Sequence, residues 1–342
     1  MNRSTILNLE KTSVNLSVSF GNRTNSPVAS SLSALVLSGL TLFGLITNGL
    51  ICLAITKTKK LHTPTFYLVF NMAISDCIFL VSGLSAASLN AILSSKTLSV
   101  LSASVACKLV GFANVCSVIA STLTLSAISI DRNFILTTKS CRRTLFNSYW
   151  KLAILIGLIW SIGTIAAIPF AVLMTIYPSS RMCDIMNRRR TFNVTYFILL
   201  LIVACIIPAI IVMTKYAKIM SVLAKGIDSR RTLSTFELTR KHHIKLIKSL
   251  SIVTIIFLSL TCPILIVYII FAFSGQSSFN YMLSLSQTQA QIIQICFIVG
   301  YFSCLANPII YFCMNTTLRQ ALTCKLQCRY RVQSTIHMVP VY

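Results

Sequence analysis

Acidic side chains are almost missing from this sequence. Six of them (Glu10, Asp76, Asp131, Asp184, Asp228 and Glu237) stand against 30 Lys and Arg in 342 residues. Only 11% of the chain is charged, where a soluble domain carries roughly 25%. With 55% hydrophobic residues and a mean hydropathy of +0.80, the chain would expose too much apolar surface in water. Lipid is the expected solvent. Metal-site spacings are also lacking, since no CxxC pair or Cys/His cluster occurs among the thirteen cysteines. Most of them (Cys52, Cys77, Cys116, Cys205, Cys262, Cys296 and Cys304) lie in apolar runs, where a free Cys acts as a small buried hydrophobe. Period-two alternation is absent, which excludes a β-barrel, and no internal repeat points to a secondary transporter. The long apolar runs contain no His and a single deep Asp, so an intramembrane enzyme is disfavoured and no catalytic residue is expected.

What is present is a set of seven long apolar runs. A bilayer core of about 30 Å needs about 20 such residues in a helix, and residues 32–56, 66–93, 103–133, 151–175, 193–217, 247–273 and 287–312 qualify. Pro169, Pro208, Pro263 and Pro308 fall inside four of them, where neighbouring helices can satisfy the freed backbone. The expected fold is an all-α membrane protein, a seven-helix bundle.

A net charge of +24 would suggest nucleic acid in a soluble protein. Here the basic residues cluster between uncharged runs, as juxtamembrane loops do. Lys57, Lys59 and Lys60, then Arg142, Arg143 and Lys151, then Arg230, Arg231, Arg240 and Lys241, all fall on one side. By the positive-inside rule that side is cytoplasmic and the N-terminus lies outside. Three glycosylation sequons, at Asn2, Asn15 and Asn22, agree with that orientation. The first 31 residues lack the architecture of a cleaved signal peptide, so the first span is expected to act as its own membrane signal. The expected organisation is an extracellular segment 1–31, a bundle 32–314 and a cytoplasmic tail 315–342.

Asp76 lies deep within the second run, and an ionisable group there is a functional candidate. One reading is a structural carboxyl bonded to neighbouring Ser and Asn. The other is an ion or proton site, with Asn48, Ser121, Ser303 and Asn307 as the polar groups around it and Na⁺ as a fitting hard cation. Asp131-Arg132 closes the third run. Arg132 alone reads as a snorkelling helix end, while the adjacent Asp131 suggests a charge pair that a partner can separate. Cys107 and Cys183 both fall on the oxidising side, where a disulfide persists and would staple the loop between spans four and five over the bundle mouth.

Asn48 in GLITNGL, Asp76 in NMAISD, Cys107, Asp131-Arg132-Asn133, Trp160, Pro208, Pro263 and Asn307-Pro308-Ile309-Ile310-Tyr311 occur one landmark per span and in order. Together they resemble the signature of the rhodopsin-like (class A) G-protein-coupled receptors across roughly residues 32–326. The resemblance implies a ligand-shifted equilibrium between inactive and active states. Asp76, Ser121, Ser303 and Asn307 resemble the sodium pocket, making Na⁺ an allosteric ion rather than a cofactor. Asp131, Arg132, Tyr216 and Tyr311 resemble the activation switch, and Pro263 the kink on which span six moves. Residues 316–325 resemble a short amphipathic eighth helix, and Cys324 and Cys328 are palmitoylation candidates as well as ordinary free cysteines. Three departures stand out. Thr261 replaces the usual Trp before the span-six proline, Asn133 replaces the usual Tyr, and His243 stands where many relatives place a Glu that locks the Arg.

The ligand narrows by exclusion. Asn114 occupies the position where amine receptors of this family carry an Asp, and Tyr301 the position of the retinal lysine. The implied pocket comprises Asn114, Val118, Ile264, Leu265, Tyr268, Phe297 and Tyr301, a mixture suited to a small organic molecule or the end of a peptide. Arg181 and Arg188–Arg190 make the entrance basic, which either steers an anionic ligand or is a solvated loop. The implied function is a plasma-membrane receptor that binds an extracellular ligand and activates heterotrimeric G proteins. The alternative is a receptor-shaped protein that does not signal, such as a scavenger or heterodimer partner.

Overall fold

With no water to bond backbone amides in a bilayer, an apolar run must satisfy them within itself, and a helix is the way to do so. The computed structural model describes residues 27–94, 99–137, 145–146, 148–177, 182–185, 190–227, 234–314 and 318–322. Seven helices among these are long and apolar enough to cross a membrane. They are α1 (Pro27–Lys57), α2 (Pro64–Ser94), α3 (Val100–Thr137), α4 (Tyr149–Leu173), α5, α6 (Ser234–Ser274) and α7 (Gln287–Met314). Helix α5 comprises Arg190–Leu201, a π-helical turn Ile202–Ile206, and Ile207–Ile227. The wide turn lies just before Pro208, whose ring would otherwise press on the carbonyl of the preceding turn. Prolines open α1 and α2, where the missing N–H would be unpaired anyway.

The chain divides into two units at Leu40. The first contains the opening turns of α1, with Leu35 and Val36 exposed. In the second unit, from Thr41 onward, α3 packs along α2, α4 and α5, and α6 packs along α7. The polarity is inverted relative to a soluble bundle. On α4 the large apolar residues Ile154, Leu158, Ile162 and Ile165 face outward, while Asn48, Asn71, Ser75, Asp76, Ser121 and Asn307 are buried. Lipid accepts the first group, and the second can find partners only inside.

Three helices are tied by one such polar chain. The Trp160 indole donates to Asn71 Oδ1 at 2.9 Å, and Asn71 Nδ2 donates to Thr124 Oγ1 at 2.8 Å. Beside it, a Cβ at Gly163 would stand 3.0 Å from the Cys116 carbonyl oxygen, so α3 and α4 approach backbone to backbone. Trp160→Phe leaves Asn71 Oδ1 buried without a donor, a loss of about 1–3 kcal/mol. A lowered thermal midpoint of the purified protein is the expected result, and an unchanged midpoint would refute the link.

The loop after α4 forms a hairpin that the sequence did not announce, because three-residue strands are too short to show alternation. Strands β1 (Met174–Ile176) and β2 (Cys183–Ile185) pair antiparallel, with Thr175 opposite Asp184. The Cys107–Cys183 disulfide pins the hairpin to the start of α3. Asn90 Oδ1 accepts from the Cys183 amide at 3.0 Å, and the Asp184 carboxylate accepts from the Phe279 amide at 2.9 Å. Phe279 belongs to a short helix, Ser278–Ser284, that Ser277 caps. The hairpin is therefore held by α2, α3 and the connection between α6 and α7.

Two helices run past the expected spans. Helix α1 starts at Pro27 rather than 32 and α6 at Ser234 rather than 247, because polar residues continue a helix beyond the apolar layer. Residues 318–322 are helical, within the expected eighth helix, and Leu318 is fully buried. Asn2, Asn15, Asn22, Arg181, Arg188, Arg189, Cys324 and Cys328 lie outside the described residues, as do the side chains of Arg132, Tyr216 and His243.

Candidate functional site: a cavity that reaches Asp76

Helical periodicity places Asn114, Val118 and Ser121 on one face of α3. On α6 the same spacing aligns Phe257, Thr261, Ile264, Leu265 and Tyr268. These two faces, with Leu200 of α5, Asp76 and Phe79 of α2, and Gly300, Ser303 and Cys304 of α7, line one cavity. Tyr268 stands at its outer end, held by aromatic neighbours. Its ring stacks on Phe197 at 5.4 Å and meets Phe170 and Phe297 edge-on at 5.7 and 5.9 Å.

At the inner end stands Asp76, 1% exposed. Ser121 Oγ donates to its Oδ1 and Asn307 Nδ2 to its Oδ2, both at 2.8 Å. The Cys304 thiol also lies against the carboxylate. Both oxygen-bound donors are neutral, and no basic residue lines the cavity. Asn307 Oδ1 is buried without a hydrogen-bond partner. A carboxylate, a hydroxyl and an unpartnered amide carbonyl make a set of hard oxygens, and such a set fits a small hard cation.

Thr261 explains why the two ends communicate. Its hydroxyl turns back to donate to the Phe257 carbonyl of its own helix at 2.8 Å. The short side chain leaves open the level between Tyr268 and Asp76.

Residues 47–311 match the family described as 7 transmembrane receptor (rhodopsin family), which covers more than half of the chain. The chain belongs to that family. It is a multi-pass membrane receptor and not an enzyme. It is similar to the neuropeptide Y receptor type 2 of Mus musculus, 24% identical over 308 residues, 86% of this chain and 75% of the relative. The Homo sapiens protein of the same name is 24% identical over 307 residues, with the same coverage. Among solved structures, squid rhodopsin superposes with a TM-score of 0.70 at 20% identity, over 86% of this chain and 84% of that one. At that identity the likeness concerns the fold.

The receptor brings together only part of what its sequence grouped. Asn114, Val118, Ile264, Leu265 and Tyr268 line the cavity, whereas Phe297 and Tyr301 do not. Phe297 packs behind Tyr268 with Val267, Phe271 and Ile293. Tyr301 leans onto α2, its ring 5.3 Å from Phe79 and pressed against Gly83, which has no room for a side chain. Around Asp76, Ser121 and Asn307 make contact, but Ser303 donates to the Gly300 carbonyl at 2.7 Å. Asn48 bonds the carbonyls of Gly44 and Cys304 instead, joining α1 to α7. Asn48 reaches the Cys304 carbonyl, which Pro308 four residues on leaves without an amide donor, and Ser303 bonds back onto its own helix. Cys304 at the carboxylate was not singled out from sequence, where it read as one more apolar-run cysteine.

At the end of α3 remote from Cys107, Asp131 is fully buried and accepts from the Thr65 hydroxyl and the Leu145 amide, at 3.2 and 3.0 Å. It thereby joins α3 to α2 and to the loop before α4. Asn133 donates to the Lys215 carbonyl at 3.0 Å, a tie from α3 to α5 made in place of the usual Tyr. Tyr311 is buried, with its hydroxyl 3.9 Å from the Met72 sulfur.

Proposed function

We propose that this receptor sits in the plasma membrane with its N-terminus outside, takes an extracellular ligand into the cavity and activates heterotrimeric G proteins. The observation that carries the proposal is the cavity itself, which lies inside the bundle of a rhodopsin-family member and ends on a buried carboxylate. The hairpin pinned by the disulfide, on the side opposite the basic clusters, supports the orientation. The ligand is a small organic molecule or the end of a peptide, and the relatives named for neuropeptide Y support the second.

In this reading the Asp76 pocket holds Na⁺ in the inactive state through Asp76, Ser121 and Asn307, and the ion offsets the buried negative charge. Arg132, Tyr216 and Tyr311 rearrange on activation as α6 bends at Pro263. His243 supplies no carboxylate to restrain Arg132, so basal activity is expected. The test is second-messenger output in transfected cells, for the wild type and Arg132→Ala, across the main G-protein families. A basal signal that the substitution removes is the expected result. Output no higher than in mock-transfected cells, at verified surface delivery, would count against basal activity and favour the non-signalling alternative.

A further inference from the structure

The wide turn of α5 packs against α6 near its inner proline, and each helix brings a thiol to the meeting. A π-helical turn carries one residue more than a regular turn. In the turn Ile202–Ile206 two successive residues, Ala204 and Cys205, are both buried, Cys205 at 2% exposure. Opposite lies Cys262, the residue before Pro263 in α6. It stands one position beyond Thr261, so where Thr261 faces the cavity, Cys262 turns toward α5. The two thiols share a hydrogen bond across the helices, and both are free. Each lies about 20 Å from the hairpin end of its helix, by the rise of 1.5 Å per residue. Both fall within the segments Arg190–Lys215 and Ile255–Ser274, which are apolar and long enough to cross a bilayer.

A thiol–thiol contact is a weak hydrogen bond, and two apolar side chains would fill this contact as well. What the thiols add is chemistry. We propose that Cys205 and Cys262 form an oxidation site, at which a neutral hydroperoxide such as hydrogen peroxide joins them into a second disulfide tying α5 to α6. Cys262 is half-buried and Cys205 enclosed, so Cys262 reacts first. Its sulfur attacks one peroxide oxygen, the O–O bond breaks, and a sulfenic acid and one water result. The Cys205 sulfur then displaces hydroxide from the Cys262 sulfur. The S–S bond forms, and the hydroxide leaves as a second water with the Cys205 proton. The two thiols supply the two electrons that reduce one peroxide to two waters. Lipid selects the oxidant and shields the product, because a small neutral peroxide enters a bilayer and a charged reductant is kept out. The bridge fastens the wide turn of α5 to the residue before Pro263, where α6 itself lacks a backbone hydrogen bond. In the oxidised receptor α6 is held against α5, which favours the present arrangement over any in which the two helices part.

The test exposes the purified full-length receptor, in lipid, to hydrogen peroxide. The protein is then unfolded at acidic pH with N-ethylmaleimide, which caps the remaining thiols, and its peptides are mapped by mass spectrometry. The expected result is a peptide pair joined through Cys205 and Cys262, with loss of the maleimide label at both. The thermal midpoint of the oxidised receptor should rise by about 4 °C. Cys205→Ser and Cys262→Ser should each give no joined pair and no rise. Cys262→Ala serves if the serine variant is poorly delivered. Neutral dithiothreitol should open the bridge in the folded receptor, and negatively charged mercaptoethanesulfonate should do so far more slowly.

Met213, 65% exposed, reports that the oxidant has acted, through its conversion to the sulfoxide. Both thiols still capped by maleimide in a wild type whose Met213 is oxidised would overturn the proposal. So would Cys262 joined to a partner other than Cys205, or a rise in midpoint that survives in Cys262→Ser. Equal cleavage by the two reductants would overturn the shielding by lipid. Signalling is not part of this readout. A joined pair without G-protein activation would strike the signalling reading alone, and activation without a joined pair would strike this inference alone.

Discussion

Replacing Cys107 or Cys183 with Ser will cut surface delivery sharply, by a similar amount for each, with no further loss in the double variant. The bridge closes a segment of 76 residues, and chain-entropy arguments assign a loop of that length about 4.5 kcal/mol in water. A bilayer lowers that figure. Spans three and four stay inserted and helical even when the bundle comes apart, so the open loop explores less space than a free chain. About 2 kcal/mol, the lower end of the usual range for a lost disulfide, is the expected effect. Local consequences add to it. Freed from Cys107, the hairpin still has its hydrogen bonds to Asn90 and Phe279. Both bonds are weaker anchors than a covalent link, and the cover over the bundle mouth should loosen. Surface labelling of intact cells and thermal melts of the purified variants check this. Clearly additive losses in the double variant would refute a shared role.

Asp76→Asn will abolish the response of the receptor to Na⁺. In the wild type, exchanging choline for Na⁺ at constant ionic strength should raise the thermal midpoint, because an ion bound only by the folded state stabilises it. The gain is about 2.7 kcal/mol when Na⁺ stands at a hundred times its dissociation constant. In the variant the midpoint should not move. The substitution should nevertheless fold well. Without a cation, the wild-type carboxyl faces only neutral donors, and replacing an unpaired buried ionisable group by a neutral one is often tolerated or stabilising. Asn307 can accept from the new amide through its unpartnered Oδ1, and the Ser121 hydroxyl can still donate to the new carbonyl oxygen. In choline the variant should therefore melt at or above the wild type. A Na⁺ response that survives in Asp76→Asn would remove the sodium pocket from this carboxylate.

Both tests concern features whose partners lie far apart in the chain, and that separation marks how much the sequence could reveal. The seven spans were legible because the bilayer imposes a length and a polarity on each segment separately. The scarcity of acidic residues identified the solvent, and the basic clusters set an expected orientation. Asp76 was conspicuous as the one deep charge, and Cys107 and Cys183 as the two cysteines expected on the oxidising side. Each of these inferences needs only the local run of residues and the physics of lipid or redox environment.

Contacts between spans were less legible, because a helix offers several polar side chains and only packing decides which of them meet. Ser303 and Asn48 were reasonable partners for Asp76 by level, yet each found a backbone carbonyl instead. Tyr301 and Phe297 sit at suitable heights for a pocket, but rotation about the axis of α7 turns Tyr301 onto α2 and packs Phe297 behind Tyr268. The hairpin and the π-helical turn depend on bonds that no periodicity encodes. Thr261 marks the boundary between the two kinds of knowledge. Its sequence showed that an aromatic residue was missing, and the tertiary structure decided what the absence does. With the hydroxyl folded back on Phe257 and no neighbour filling the space, the outer cavity and the Asp76 pocket become one, because a void persists where packed helices leave no side chain long enough to close it.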